Sequence, residues 1–101
     1  MEELENSVFE LIVYAGNGKS SAMEAIQEAK KGDFKKAEEL LKDAGEELGK
    51  AHKFQTALIQ AEAAGKSTPI SMLLIHAQDH FMSAMTVRDL ATEMVEIYKT
   101  R

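Results

Sequence analysis

Apolar residues recur along this chain at the spacing of an α-helix, and three separate stripes can be traced. Leu4, Val8, Leu11 and Ala15 fall three or four residues apart, the period that lines one face of a helix. Gly16-Asn17-Gly18 interrupts that stripe. Ala22, Ile26 and Ala29 nevertheless return to it when the step of about 100° per residue is carried straight through. The phase match predicts one long helix. It should end at Lys30-Lys31, cations suited to a helix C-terminus, with Gly32 as the terminating residue.

A second stripe, Ala37, Leu41, Ala44, Leu48 and Ala51, continues as far as Ile59. Asp33 is a good N-cap for it, so the spacing predicts a helix from about Phe34 to about Ala64, with Gly65 to end it. In Lys66-Ser67-Thr68-Pro69, Thr68 can cap a third helix, and Pro69 fits the first helical position, where its missing N–H costs nothing. No Gly or Pro follows before Arg101, so this helix should run about 30 residues, or about 45 Å. No strand pattern competes. Three helices of similar length with short connections predict an all-α fold, an up-down-up antiparallel three-helix bundle forming a single domain over residues 1–101. A hairpin about Gly32 would set Gly16 and Gly18 level with Gly45 and Gly49. Four small residues there permit close backbone approach, or are tolerated at some cost in stability.

The third stripe is too wide for a monomer. Counting from Leu73, apolar residues extend from Ile97 and Met72 on one flank to Met85 on the other. That is roughly 240° of arc, against about 100° for an ordinary surface helix. Another copy of the chain is the simplest cover, since cyclic homo-oligomers are common and helix-on-helix packing buries such a face.

Composition narrows the function classes. The chain is 45% apolar and 29% charged, with one Pro and no low-complexity tract, as expected of a folded domain. A net charge of −5, with lysines scattered among acids, argues against a nucleic-acid partner. Without Cys there is neither a disulfide framework nor a thiolate metal site. The acidic start Met1-Glu2-Glu3-Leu4-Glu5 is unlike a basic secretory signal, and no apolar run approaches the roughly 20 residues that span a bilayer. A cytoplasmic protein with no direct membrane insertion is expected.

The chemistry is concentrated on the third helix. In Ile75-His76-Ala77-Gln78-Asp79-His80-Phe81-Met82, the residues His76, Asp79 and His80 stand at i, i+3 and i+4 and so share one face. Level-matching of helices two and three about the Ser67 region brings Gln55 and Thr56 near His76 and Asp79. Gln55 also lies on the second apolar stripe, where an unpaired buried amide costs roughly 1–3 kcal/mol; it should bond an imidazole or a carboxylate of the cluster.

Three readings of the cluster stay open from the residues alone. The histidines can be half-buried packing residues beside a solvated Asp79. A His pair at i and i+4 can also hold a transition metal, although the metalloprotease pattern lacks its Glu after His76. Finally, one His can act as a covalent nucleophile, because an imidazole titrating near pH 6.5 offers an unprotonated nitrogen to a phosphoryl group. His80 could then donate to a phosphoryl oxygen. Asp79 would repel the phosphoryl group unless a cation intervened, and a cation shared by Asp79 from several subunits would tie the site to the oligomer.

The run from Met72 to Met82 resembles the signature of the lactose/cellobiose-type IIA components of the bacterial sugar phosphotransferase system. Tyr14-Ala15-Gly16, Gly32-Asp33-Phe34, Ala51-His52 with Gln55-Thr56, and Ile97-Tyr98-Lys99 extend the resemblance over nearly the whole chain. Phe81 stands where Leu is more usual, a conservative change on an apolar face. The resemblance implies a homotrimer of three-helix bundles and a transferase that works only with its partner proteins. It would accept phosphate from phospho-HPr on a histidine and pass it to the cognate IIB component.

Carried over by residue, His76 is the phosphorylated histidine, and Asp79 meets its symmetry mates around a divalent cation, magnesium. His80 and Gln78 match the motif in supporting positions, with Gln55 and His52 behind them. Few fixed charges should surround His76, because over-stabilising the phosphorylated state would block onward transfer. The partner face should be shallow and partly apolar, with Met72, Met82 and Leu90 as candidates if exposed, although core or trimer packing is the favoured use of each. Two rival functions remain. One is a non-catalytic helical oligomer with a structural His/Asp metal site, and the other is a partner-binding regulator.

Overall fold

In the computed structural model the backbone is described for residues 2–66 and 68–101, and side chains from Asn6 onward. Three helices make up the fold, α1 (Glu2–Lys30), α2 (Phe34–Ala63) and α3 (Met72–Lys99). They form a rod of 51 × 22 × 19 Å, and there is no strand among the described residues. Of the first predicted stripe, Leu4 lies outside the described side chains. Its remaining members Val8, Leu11, Ala15, Ala22, Ile26 and Ala29 are all buried, so α1 passes unbroken through Gly16-Asn17-Gly18.

The first turn between helices is written locally. Gly32 has φ +86°, a region that costs an L side chain energy and costs glycine nothing. Its N–H donates to Ala29 O at 3.0 Å, and the next N–H, of Asp33, donates to Glu28 O at 3.0 Å. This pair of bonds closes the end of α1. Asp33 then accepts from Lys36 N at 3.1 Å and caps α2. Gly65, at φ +86°, closes α2 in the same way, with Gly65 N to Glu62 O at 3.0 Å and Lys66 N to Ala61 O at 2.8 Å.

The start of α3 differs from the sequence expectation. Thr68 and Pro69 precede the helix in a non-helical segment, and Ser71 is the N-cap, its hydroxyl accepting from Leu74 N at 3.1 Å. Ser67, in the same connection, lies outside the described residues. Core clusters unite residues 8–15 with 77–84, and 22–29 with 91–95, so α3 runs parallel to α1 and level with it.

Helix α1 packs along both partners, whereas α2 and α3 touch each other much less. Of the four glycines expected to bring helices together, Gly18 does so: a Cβ there would fall 2.7 Å from Leu48 Cγ and 3.3 Å from Ala44 O. Gly45 instead lies under the Arg88 guanidinium of α3, with 3.1 Å from a would-be Cβ to Nη2, while Gly16 and Gly49 have open space. The wide apolar arc of α3 is confirmed. Its core face buries Ala77, Phe81, Ala84, Ala91 and Val95, while Met72 (79% exposed), Ile75 (54%), Leu90 (52%) and Ile97 (58%) face outward.

Candidate functional site

Phe81 fixes how α3 is rotated, because its ring is fully buried at the centre of one core cluster. A helix turned that way aims Gln78 and Met82 toward α2 and sends His76, Asp79 and His80 round the outer side. The structure therefore divides the predicted site residues into three groups.

The first group is the outer one. The His76 and His80 rings stand edge to face, their centroids 4.4 Å apart and their planes at 79°. His76 and Asp79 are exposed and His80 is half-buried. His76 and Asp79 border an open hollow of about 540 Å³ whose other walls are Met72, Leu73 and Ile75. Among the described residues no side-chain hydrogen bond or salt bridge engages His76, Asp79 or His80. Asp79 is the charged side chain that lines the hollow with His76.

The second group corrects the expectation for Gln55. Its Nε2 donates to Gln78 Oε1 at 2.8 Å and approaches Met82 Sδ at 3.8 Å; its partner is neither an imidazole nor a carboxylate. Gln78 is two residues from both His76 and His80, about 200° round the helix, so it faces α2 while they do not. The result is a polar tie across the sparsely packed α2–α3 seam. The third group is His52 with Thr56. Thr56 Oγ1 lies 3.4 Å from His52 Nε2, and the His52 ring lies 6.4 Å from that of Phe81. Thr56 thus pairs with His52 and not with His76 or Asp79, and His52 is exposed.

The chain and its three-helix frame are matched by known proteins. The family described as "PTS system, Lactose/Cellobiose specific IIA subunit" matches residues 6–99. The chain belongs to this family. The lichenan-specific phosphotransferase enzyme IIA component of Bacillus subtilis is 55% identical over 98 residues, which are 97% of this chain and 89% of that one. Among solved structures, the PTS cellobiose-specific enzyme IIA from Bacillus anthracis superposes with a TM-score of 0.92 at 52% identity, covering 94% of this chain and 87% of that one. The IIA(chitobiose) chain in the complex with HPr from the Escherichia coli N,N'-diacetylchitobiose branch superposes with a TM-score of 0.84 at 38% identity. It covers 99% of this chain and 97% of that one.

As a IIA component, the chain is a phosphotransfer protein of the sugar phosphotransferase system. The outer group suits that chemistry, since a transferred phosphoryl group has to be reached by a second protein and His76 is open to one. Met72, Met82 and Leu90, the candidates for a partner face, are all exposed. Among the described residues no three His, Cys, Asp or Glu side chains gather as a metal site within one chain. Among the described residues no helix is long and apolar enough to cross a membrane.

Proposed function

We propose that this chain is a cytoplasmic phosphocarrier that takes a phosphoryl group from phospho-HPr on His76 and hands it to its cognate IIB component during sugar uptake. The observation that carries the reading is the His76 ring, exposed and without a hydrogen-bond partner among the described residues, beside His80 on an open, largely apolar hollow. In the first step an unprotonated His76 nitrogen attacks phosphorus. The new N–P bond forms as the N–P bond to the donor's histidine breaks, and the departing imidazole takes up a proton. The second step repeats this in the opposite sense toward the next acceptor. An N–H of His80, one turn on, offers a hydrogen bond to a phosphoryl oxygen and spreads its charge. Gln78 acts in support through its tie to Gln55.

The working form in this reading is a homotrimer with the outward ridge of α3 at its axis. Asp79 stands in that ridge among Met72, Ile75, Leu90 and Ile97, and would meet its two symmetry mates there. A carboxylate oxygen suits a hard divalent cation, magnesium, which would be held by the three Asp79 carboxylates and would offset their mutual repulsion.

Incubation with phosphoenolpyruvate, the general phosphotransferase enzyme and HPr tests the carrier reading. Intact mass should show one acid-labile phosphoryl group, mapped to His76 and missing from His76→Ala. A folded chain that takes no label would favour the non-catalytic metal-site oligomer.

A further inference from the structure

A second hollow lies between α1 and α2, the two helices that do not carry the histidine pair. Its volume is about 350 Å³, and its walls are Tyr14, Lys50, Lys53, Phe54 and Ala57. None of them belongs to α3 or lines the hollow beside His76. Tyr14 and Phe54 stack from one helix to the other, their ring centroids 5.9 Å apart and their planes at 25°. Both rings are half-buried and pack against the core cluster that holds Phe81, so the wall they form is fixed before any ligand arrives. Ala57, four residues after Lys53, contributes only a methyl group and leaves the hollow its room.

Charge narrows the occupant. In a chain of net charge −5, the rim of this hollow carries two ammonium groups at i and i+3 of α2, and so on one face. Lys50 is held in place, with its Nζ 5.4 Å from the centroid of the Tyr14 ring, within cation–π range, and 3.6 Å from Glu47 Oε1. Glu47 therefore offsets Lys50. Lys53 enters no salt bridge among the described residues, which leaves one positive charge for an occupant. A mainly apolar hollow with aromatic walls and a single net cation at its edge is complementary to a monoanion with a flat apolar body. A dianion would face the Glu47 carboxylate with only one ammonium to offset it.

We propose that the hollow between α1 and α2 is a binding site for small aromatic carboxylates. The ligand's ring lies along the Tyr14–Phe54 wall and its carboxylate sits at Lys53. The site stands apart from the carrier reading, because it shares no residue with the hollow beside His76.

The test titrates nitrogen-15-labelled protein with 2-naphthoate and follows the amide resonances. Saturating shifts should centre on Tyr14, Lys50, Lys53, Phe54 and Ala57, with a Kd of about 1 mM, the scale for a ligand of about 13 heavy atoms. 2-Naphthol, which keeps the ring without the charge at neutral pH, should bind about fivefold more weakly, and acetate, which keeps the charge without the ring, should not saturate. Lys53→Gln should raise the Kd about threefold, the scale of one exposed ion pair. Lys42→Gln, the same charge change about 16 Å away along α2, should leave it unchanged. Phe54→Leu keeps apolar bulk without the ring and should raise the Kd about fivefold. Lys53 is exposed, so its replacement leaves the fold intact and decides the matter even where Phe54→Leu loosens the core. Shifts centred on His76, equal binding of 2-naphthol, an equal rise in Lys42→Gln, or no saturation at about tenfold the expected Kd would overturn the proposal. So would a molar mass by light scattering that differs between the parent and Lys53→Gln, since the lysine would then serve contacts between copies.

Discussion

The two faces of α3 differ in a direction opposite to intuition. The face buried against α1 and α2 is built mainly of small residues, Ala77, Ala84 and Ala91, with Phe81 and Val95 between them. The face turned outward carries the larger apolar side chains, Met72, Ile75, Leu90, Met94 and Ile97. Small residues inside let helices approach closely, so the bundle closes without the bulk on the other face. Bulk outside is useful only if another molecule covers it. The lesson is that size, more than polarity, tells which side of this helix faces its own chain and which faces outward. The histidine pair sits at the boundary between the two.

Removing the one large ring on the inner face should have the greatest effect. Phe81→Ala deletes a fully buried side chain and should cost about 3–5 kcal/mol, measured as a lower urea midpoint at unchanged slope. Loss of under about 1 kcal/mol would mean that the alanines alone define the core. On the outer face the sign reverses. If the Asp79 charges crowd an axis, Asp79→Leu should give an oligomer at least as stable as the parent, by up to about 4 kcal/mol, as when buried charges give way to apolar groups. A fall to monomers in sedimentation would contradict the axial placement. A smaller effect is expected at the seam, where Gln55→Leu strands the Gln78 carbonyl and should cost about 1 kcal/mol of stability, with His76 still chemically competent.

The smallest effect concerns the far end of the rod, where Lys99 meets Glu38 and Glu96. The side-chain hydrogen bond to Glu38, first among the causes, holds the Lys99 ammonium above its ordinary range. A raised folded-state value means that the contribution is complete below the ordinary lysine pKa, about 10.4, and is lost as pH rises through the folded-state value. Lys99→Met should therefore lower stability slightly across neutral pH, with the difference closing only in alkali. A difference that changes between pH 6 and 9 would show that another group is responsible.

Most of the fold was legible because its signals are local. Gly32, Asp33 and Gly65 act through their own backbone and side chain, and each does what its residue type dictates. The start of α3 was not, since Thr68-Pro69 and Ser71 are both competent caps and residue type alone does not choose between them. The glycines misled in part: only Gly18 closes the α1–α2 gap, because what a glycine admits depends on the side chain opposite, Leu48 in one place and Arg88 in another. Within the site, the i, i+3, i+4 spacing put His76, Asp79 and His80 on one face, as the structure does. Level-matching brought Gln55 to the right height. It could not supply the rotation of α3, which turns Gln78 toward α2.

The central claim is that His76 carries the phosphoryl group. The most direct test is to phosphorylate the chain with phospho-HPr, digest it under alkaline conditions that preserve phosphohistidine, and sequence the peptide spanning residues 72–82. A single acid-labile phosphate on His76 is expected. Phosphate on His80 or His52 with His76 unmodified, or none at all on a folded oligomer, would contradict it.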